Sequence, residues 1–225
     1  MIPTIQVIYE DNHLIAVNKE AGQLVHGDET GDETLSDLVK AYIKYRYKKP
    51  GDVFLGVIHR LDRPVSGVII FARTSKGLSR MNELFRDKAI EKRYLAVTER
   101  RPKEFEAELI NYIYKDTKKN KVNIHQSERR GAKKAILKYQ LKAEVESKTL
   151  LAVQLVTGRP HQIRAQLAHI GCPILNDIKY GAGKFGTRGQ IYLHCSDMKF
   201  IHPIKKEPIH IEAELPYDVT WQTFE

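Results

Sequence analysis

The chain is 225 residues long, with 37 lysines and arginines against 28 aspartates and glutamates, a formal net charge of +9. That length suits one or two domains with a real core, without disulfide or metal staples. A composition of 42% hydrophobic and 29% charged residues excludes disorder and collagen-like repeats, and the longest apolar run, around 68–72, is far too short to span a membrane. No charged-then-apolar signal segment opens the chain, and Cys172 and Cys195 make no disulfide framework. A cytoplasmic protein with reduced thiols is the expectation.

In chain order, residues 5–9 and 14–18 read as short strands around a polar turn at 10–13. Thr34, with Asp37 three residues on, has the form of a capping box, and Leu35, Leu38, Val39, Tyr42 and Ile43 then share one helical face. A strand over 53–58, a turn over 61–67 and an apolar strand over 68–72 follow, with a second helix over 75–86 burying Leu78, Met81 and Phe85. Alternation marks strands at 106–114, 135–141 and 150–156. A third helix has Pro160 in its first turn, an Ile163, Leu167 and Ile170 stripe, and Gly171 as its stop. Strands near 191–200 and 209–215 close the chain. With no linker or repeat, the pattern predicts a single α+β domain over 1–225, a mixed and largely antiparallel sheet with flanking helices and a central cleft.

The charge is unevenly spread. Residues 1–38 hold one base and eight acids, −7, which leaves +16 for the remainder. A basic body points to a polyanion, with nucleic acid the commonest in a cytoplasm. The 115–134 segment alone has eight bases and two acids, and reads as a +6 hairpin or loop.

Three clusters could carry chemistry. The first, His59-Arg60-Leu61-Asp62-Arg63-Pro64-Val65-Ser66-Gly67, ends an apolar strand, and Pro64 and Gly67 are expected to break regular structure and hold Asp62 on a rigid turn. Flanking Arg60 and Arg63 would favour its carboxylate form. The second is Thr157-Gly158-Arg159-Pro160-His161-Gln162-Ile163-Arg164, in which His161 and Arg164 share a helical face offset from the apolar stripe. Arg164 then either points into a cleft or belongs to a solvated basic face. The third is Glu91-Lys92-Arg93-Tyr94, where Tyr94 is either a core aromatic or a platform for an unpaired base.

Together and in this order these clusters resemble the RluA-type RNA pseudouridine synthases. The resemblance runs from Glu10-Asp11, Val17-Asn18-Lys19, Gly22 and Val25-His26 through the Asp62 turn and Lys92-Arg93-Tyr94. It continues over 157–164 to Gly171, 173–175, Asp177, Tyr180-Gly181, Leu193-His194 and His202-Pro203. It implies isomerisation of uridine to pseudouridine within ribosomal or transfer RNA, with no metal and no cofactor, by a monomer of the form without the small N-terminal RNA-binding domain. By motif position Asp62 looks like the catalytic aspartate and Tyr94 like the tyrosine that stacks on the target base. Arg164 looks like the arginine that pairs with the catalytic carboxylate, and Arg60 like the one that displaces the target nucleotide. His59, Arg63, Arg159, His161 and Gln162 are expected to bind substrate. The chain departs from the family pattern at Glu20, Pro64, Val65 and Asn176, which leaves the geometry of the turn open.

Two other classes compete. A metal-dependent RNA hydrolase would use histidines with Asp62 or Asp177, but no His-x-x-x-His or Cys-x-x-Cys spacing occurs. A non-catalytic RNA-binding protein would have no use for Asp62, Tyr94 and Arg164 together.

Overall fold

The computed structural model describes residues 4–27 and 31–224. In chain order it contains β1 (Gln6–Glu10), β2 (Leu14–Lys19), α1 (Leu35–Arg46), β3 (Gly56–Val57), β4 (Ser66–Ala72), α2 (Ser75–Arg86), β5 (Glu91–Thr98), β6 (Glu106–Asp116), β7 (Lys121–His125), β8 (Lys133–Val145) and β9 (Lys148–Leu155). Then come α3 (Gln162–His169), a 3-10 turn at Ile178–Tyr180, β10 (Leu193–Ile201), β11 (Pro208–Glu212) and α4 (Val219–Gln222). Consecutive strands pair mostly antiparallel, the α+β class that the strand-rich sequence predicts. The chain forms two compact units, Met1–Ile90 with Cys195–Leu215, and Glu91–His194 with Pro216–Glu225.

In the first unit the core is the β2–β4 pair, in register from Leu14 opposite Ala72 to Lys19 opposite Gly67. Leu14 to Val17 and Val68 to Ala72 are fully buried, so β4 is apolar without alternation because both its faces are covered. Both helices of the unit start on side-chain caps, the first of them predicted. Thr34 and Asp37 make the reciprocal box, and Thr74 accepts from the Gly77 N–H. On α2 Met81 is buried as expected, whereas Leu78 and Phe85 are only half-buried.

Two expectations fail here for one reason. The strand predicted over 53–58 shrinks to Gly56 and Val57, opposite Ala72 and Phe71, and Gly67 lies inside β4 rather than in the turn. The edge of β4 that β3 uses is shared with β10. At that crossing Gly67 has φ +113°, and a Cβ there would stand 2.2 Å from the Cys195 carbonyl oxygen. Neither the backbone angle nor the gap admits a side chain. Gly67→Ala is therefore expected to cost about 2–3 kcal/mol, combining strain with overpacking. A denaturant midpoint equal to wild type would refute that close approach.

The β1–β2 turn is tied to the β10–β11 hairpin by a charged knot. Asp11 accepts the N–H groups of His13 and Leu14 at 2.7 and 2.8 Å and the Lys205 ammonium at 2.9 Å. Burial alone would raise its pKa, but these bonds outweigh it and hold the carboxyl well below the usual range. His202 is fully buried, and its Nδ1 accepts the Ile204 and Lys205 N–H groups. Its Nε2 lies 3.0 Å from Asp11 without hydrogen-bond alignment.

Burial pushes the His202 pKa below 6.5, so the unfolded chain binds a proton there that the folded chain does not. Stability from this residue is complete above about pH 6.5 and is lost as pH falls from there toward the folded value. Melting temperatures of wild type should start to drop between pH 7 and 5, and His202→Asn should flatten that limb. Equal slopes in the two proteins would assign the limb elsewhere.

In the second unit the strand order is β5-β9-β8-β6-β7. The basic 115–134 segment is a hairpin, with β6 and β7 paired from Tyr112 opposite His125 to Asp116 opposite Lys121. Helix α3 departs from expectation at its start. Pro160 precedes it, and His161 is the N-cap in a left-handed conformation, φ +50°. Every residue from Gln162 to Leu167 is buried, so the helix is enclosed rather than one-sided. Ile170 caps its end and Gly171, at φ +80°, stops it as predicted.

Candidate active site

Asp62 opens a tight turn in which the Val65 N–H donates to the Asp62 carbonyl at 3.0 Å. The chain bends there because β3 and β4, its flanks, run antiparallel. The turn is clipped to residues 19–22 at several points. Gly22 N–H donates to the Arg63 carbonyl at 2.8 Å, and Arg63 Nε returns a bond to the Gly22 carbonyl at 2.9 Å. Lys19, the last residue of β2 and 1% exposed, donates its ammonium to the carbonyls of Glu20, Arg63 and Val65 at 2.9, 3.0 and 2.7 Å. Two of the departures fit this mount: Val65 is buried and uses both its backbone groups, and the Glu20 N–H donates to Gln23.

Burial pulls the Lys19 pKa down to about 7, while the Asp62 carboxylate pushes it back up. Lys19 is thus a buried cation that sequence reasoning missed. It matched a motif, but its partners are backbone carbonyls, which leave no trace in side-chain identity. Lys19→Met keeps the stem and strips the donors, so it should cost about 2–3 kcal/mol. Thermal melts check that number, and a variant as stable as wild type would remove Lys19 from this role.

The other predicted residues of this cluster fall in different places. Arg60 is exposed and makes no ion pair among the described residues. Arg63 pairs with Asp32 at 3.0 Å, both side chains 49% exposed, beside the bonds it exchanges with Gly22. His59 accepts the Ile70 N–H through Nε2 at 3.0 Å and stacks on Phe85 at 5.1 Å, which makes it part of the packing.

In the second unit Tyr94 is 7% exposed in the middle of β5, opposite Val153. Arg164 is 4% exposed, which disposes of the solvated basic face. It holds Asp177 through both carboxylate oxygens, Nε to Oδ2 at 2.7 Å and Nη2 to Oδ1 at 2.8 Å. One edge of the guanidinium is thereby fixed, and a guanidinium carries more N–H donors than one carboxylate takes. Asn176, at φ +65°, accepts from the Phe185 N–H and donates to the Thr187 and Gln190 carbonyls. This departure from the family pattern thus sits in a left-handed conformation that asparagine tolerates and braces the following loop.

Gln162 is 2% exposed and spends its amide inside the protein. Its oxygen accepts from Thr157 at 2.8 Å and the Arg159 N–H at 3.0 Å, and its nitrogen donates to the Ile136 carbonyl at 3.0 Å. Arg159 donates to the Lys134 carbonyl at 3.0 Å, and His161 Nδ1 lies 2.8 Å from the Tyr180 hydroxyl. The first unit thus carries a carboxylate on a clamped turn, and the second an anchored guanidinium. No group of three or more His, Cys, Asp or Glu able to hold a metal ion occurs among the described residues.

Residues 13–169 match the family model for RNA pseudouridylate synthase. The chain belongs to that family. This RNA pseudouridine synthase is 33% identical to the ribosomal large subunit pseudouridine synthase C of Buchnera aphidicola subsp. Acyrthosiphon pisum, over 97% of this chain and 69% of that protein. It is 31% identical to the tRNA pseudouridine synthase C of Vibrio cholerae, over 97% of this chain and 93% of that one. Its fold is that of the human RNA pseudouridylate synthase domain containing 4, with a TM-score of 0.79 at 24% identity, covering 94% of this chain and 89% of that structure. These relatives bear out the RluA-type resemblance read from the motifs. No helix among the described residues is long and apolar enough to cross a membrane.

Proposed function

We propose that this enzyme isomerises specific uridines in ribosomal or transfer RNA, with Asp62 as its catalytic carboxylate and no cofactor. The clamped Asp62 turn carries the proposal. Breaking the bond between ribose and a base nitrogen builds positive charge on the sugar or needs a nucleophile, and an ionised carboxylate serves either demand. The leaving base stays in place, turns and rejoins through carbon, so no water is activated and one carboxylate suffices, where a glycoside hydrolase uses two. Fixing that carboxylate in advance is the kind of positioning that lowers such a barrier.

In this reading Arg164, braced by Asp177, orders the carboxylate, and Tyr94 stacks on the target base. Flipping that base out costs a few kcal/mol, least in an RNA loop. Arg60, exposed and unpaired with any described acid, fills the gap left in the stack. Arg159 and His161 meet the RNA, and Gln162 holds their loop to β8. Arg63 and His59 act through the turn and its packing. Affinity comes from phosphate contacts, with the +6 hairpin as a main source, so binding weakens with salt. Cys172 and Cys195 are buried thiols and not a disulfide, which suits a monomer working on cytoplasmic RNA.

The test is a strain lacking the gene, mapped for pseudouridine in all ribosomal and transfer RNA. One or a few sites should vanish and return with the gene. A complete map in the deletion strain would contradict the proposal.

A further inference from the structure

The basic hairpin is firmly docked. Ile113 and Val122 of its two strands form a buried cluster with Ala135, Ala165 of α3 and Tyr180, and Ile124 and Ala168 pack against it. Strand β7 ends the strand order, so among the described residues the outward N–H groups on its outer edge have no neighbouring strand. One of them, the Val122 N–H, donates to the Tyr180 hydroxyl at 3.0 Å. The same hydroxyl lies 2.8 Å from His161 Nδ1.

The ring of Tyr180 carries Lys121 Nζ and Arg164 Cζ, each 5.1 Å from its centroid. Its backbone N–H donates to the carbonyl of Asp177, the residue that grips Arg164, at 2.9 Å. Next to it, Lys179 donates to the Asn120 carbonyl at the hairpin tip. One side chain therefore touches both the strand that bears the RNA-binding charge and the guanidinium of the reaction. A tyrosine that served packing alone would need its ring there and not its hydroxyl.

We propose that Tyr180 is a positioning residue that couples the basic hairpin to Arg164, so that RNA phosphates held by the hairpin set the guanidinium in place. This rests on the reading that Arg164 takes part in the reaction. Phosphates drawn to Lys118 and Lys119, both exposed near the hairpin tip, load the hairpin. The Val122–Tyr180 bond carries that load to the ring on which Arg164 lies.

The experiment uses the full chain and total RNA from the deletion strain, with affinity and the single-turnover rate at saturating RNA measured separately. Tyr180→Phe keeps the ring and loses the hydroxyl, and should slow the saturated rate about tenfold with affinity within about twofold of wild type. Lys118→Ala with Lys119→Ala should weaken binding and also slow the saturated rate. Combined with Tyr180→Phe, the lysine changes should weaken binding as before and slow the reaction no further. A wild-type rate for Tyr180→Phe, or slowing effects that multiply, would overturn the coupling.

Should Tyr180→Phe melt below the assay temperature, Arg164→Lys replaces it, and in that background the lysine changes must again cost binding alone. A full rate for Arg164→Lys by itself would remove the underlying role of Arg164 as well. A slow Arg164→Lys beside a fast Tyr180→Phe would remove only the coupling.

Discussion

Asp62→Asn should abolish pseudouridine formation while leaving the fold and RNA binding in place. The substitution is nearly isosteric, and the bonds that clamp the turn run through the backbone of residues 62, 63 and 65, which it leaves in place while removing one charge that favours the Lys19 cation. Stability should stay within about 1 kcal/mol of wild type, and affinity for RNA, which rests on phosphate contacts elsewhere, should hold to within a few-fold. The single-turnover rate should fall by at least about 10³-fold, the scale on which a group acting in the transition state is missed. A variant within tenfold of wild type would mean that the carboxylate does not do the chemistry.

Asp177→Asn should be the most destabilising of the ionic substitutions. Arg164 and Asp177 have side chains 5% and 1% exposed, so Asp177→Asn breaks a two-bond ion pair that is shielded from water. Breaking such a pair costs about 3–5 kcal/mol. The pair between Arg63 and Asp32 has a similar 3.0 Å contact but is half exposed on both sides, and Asp32→Asn should cost under about 1 kcal/mol. Urea unfolding of the two variants side by side tests the contrast. Equal costs would show that burial does not govern these pairs.

Much of this was legible in the sequence where the code is local. The Thr34 box, the span of α2 and the alternating strands of the second unit follow from neighbours a few residues apart, and the structure has them where the pattern puts them. Legibility stops where a partner is distant. Nothing around residue 53 announces that β10 will take most of the β4 edge and leave β3 two residues. Arg164 could be solvated or buried until Asp177, across a loop, turned out to grip it. Lys19 and Gln162 were visible as motif letters, but their work is done on backbone carbonyls and N–H groups, which have no identity in a sequence. The Asp62 motif itself was readable because its Pro, Gly and charged residues are contiguous.

Asp62, held by its turn, should isomerise uridine without help from any added group. Purified chain, treated with chelator and desalted, should be mixed with RNA from the deletion strain, and pseudouridine counted at each site that the deletion erased. The wild-type chain should restore those sites with nothing else added, and Asp62→Asn should restore none. Restoration by Asp62→Asn, or a wild-type chain that stays inert until a metal or cofactor is supplied, would contradict it.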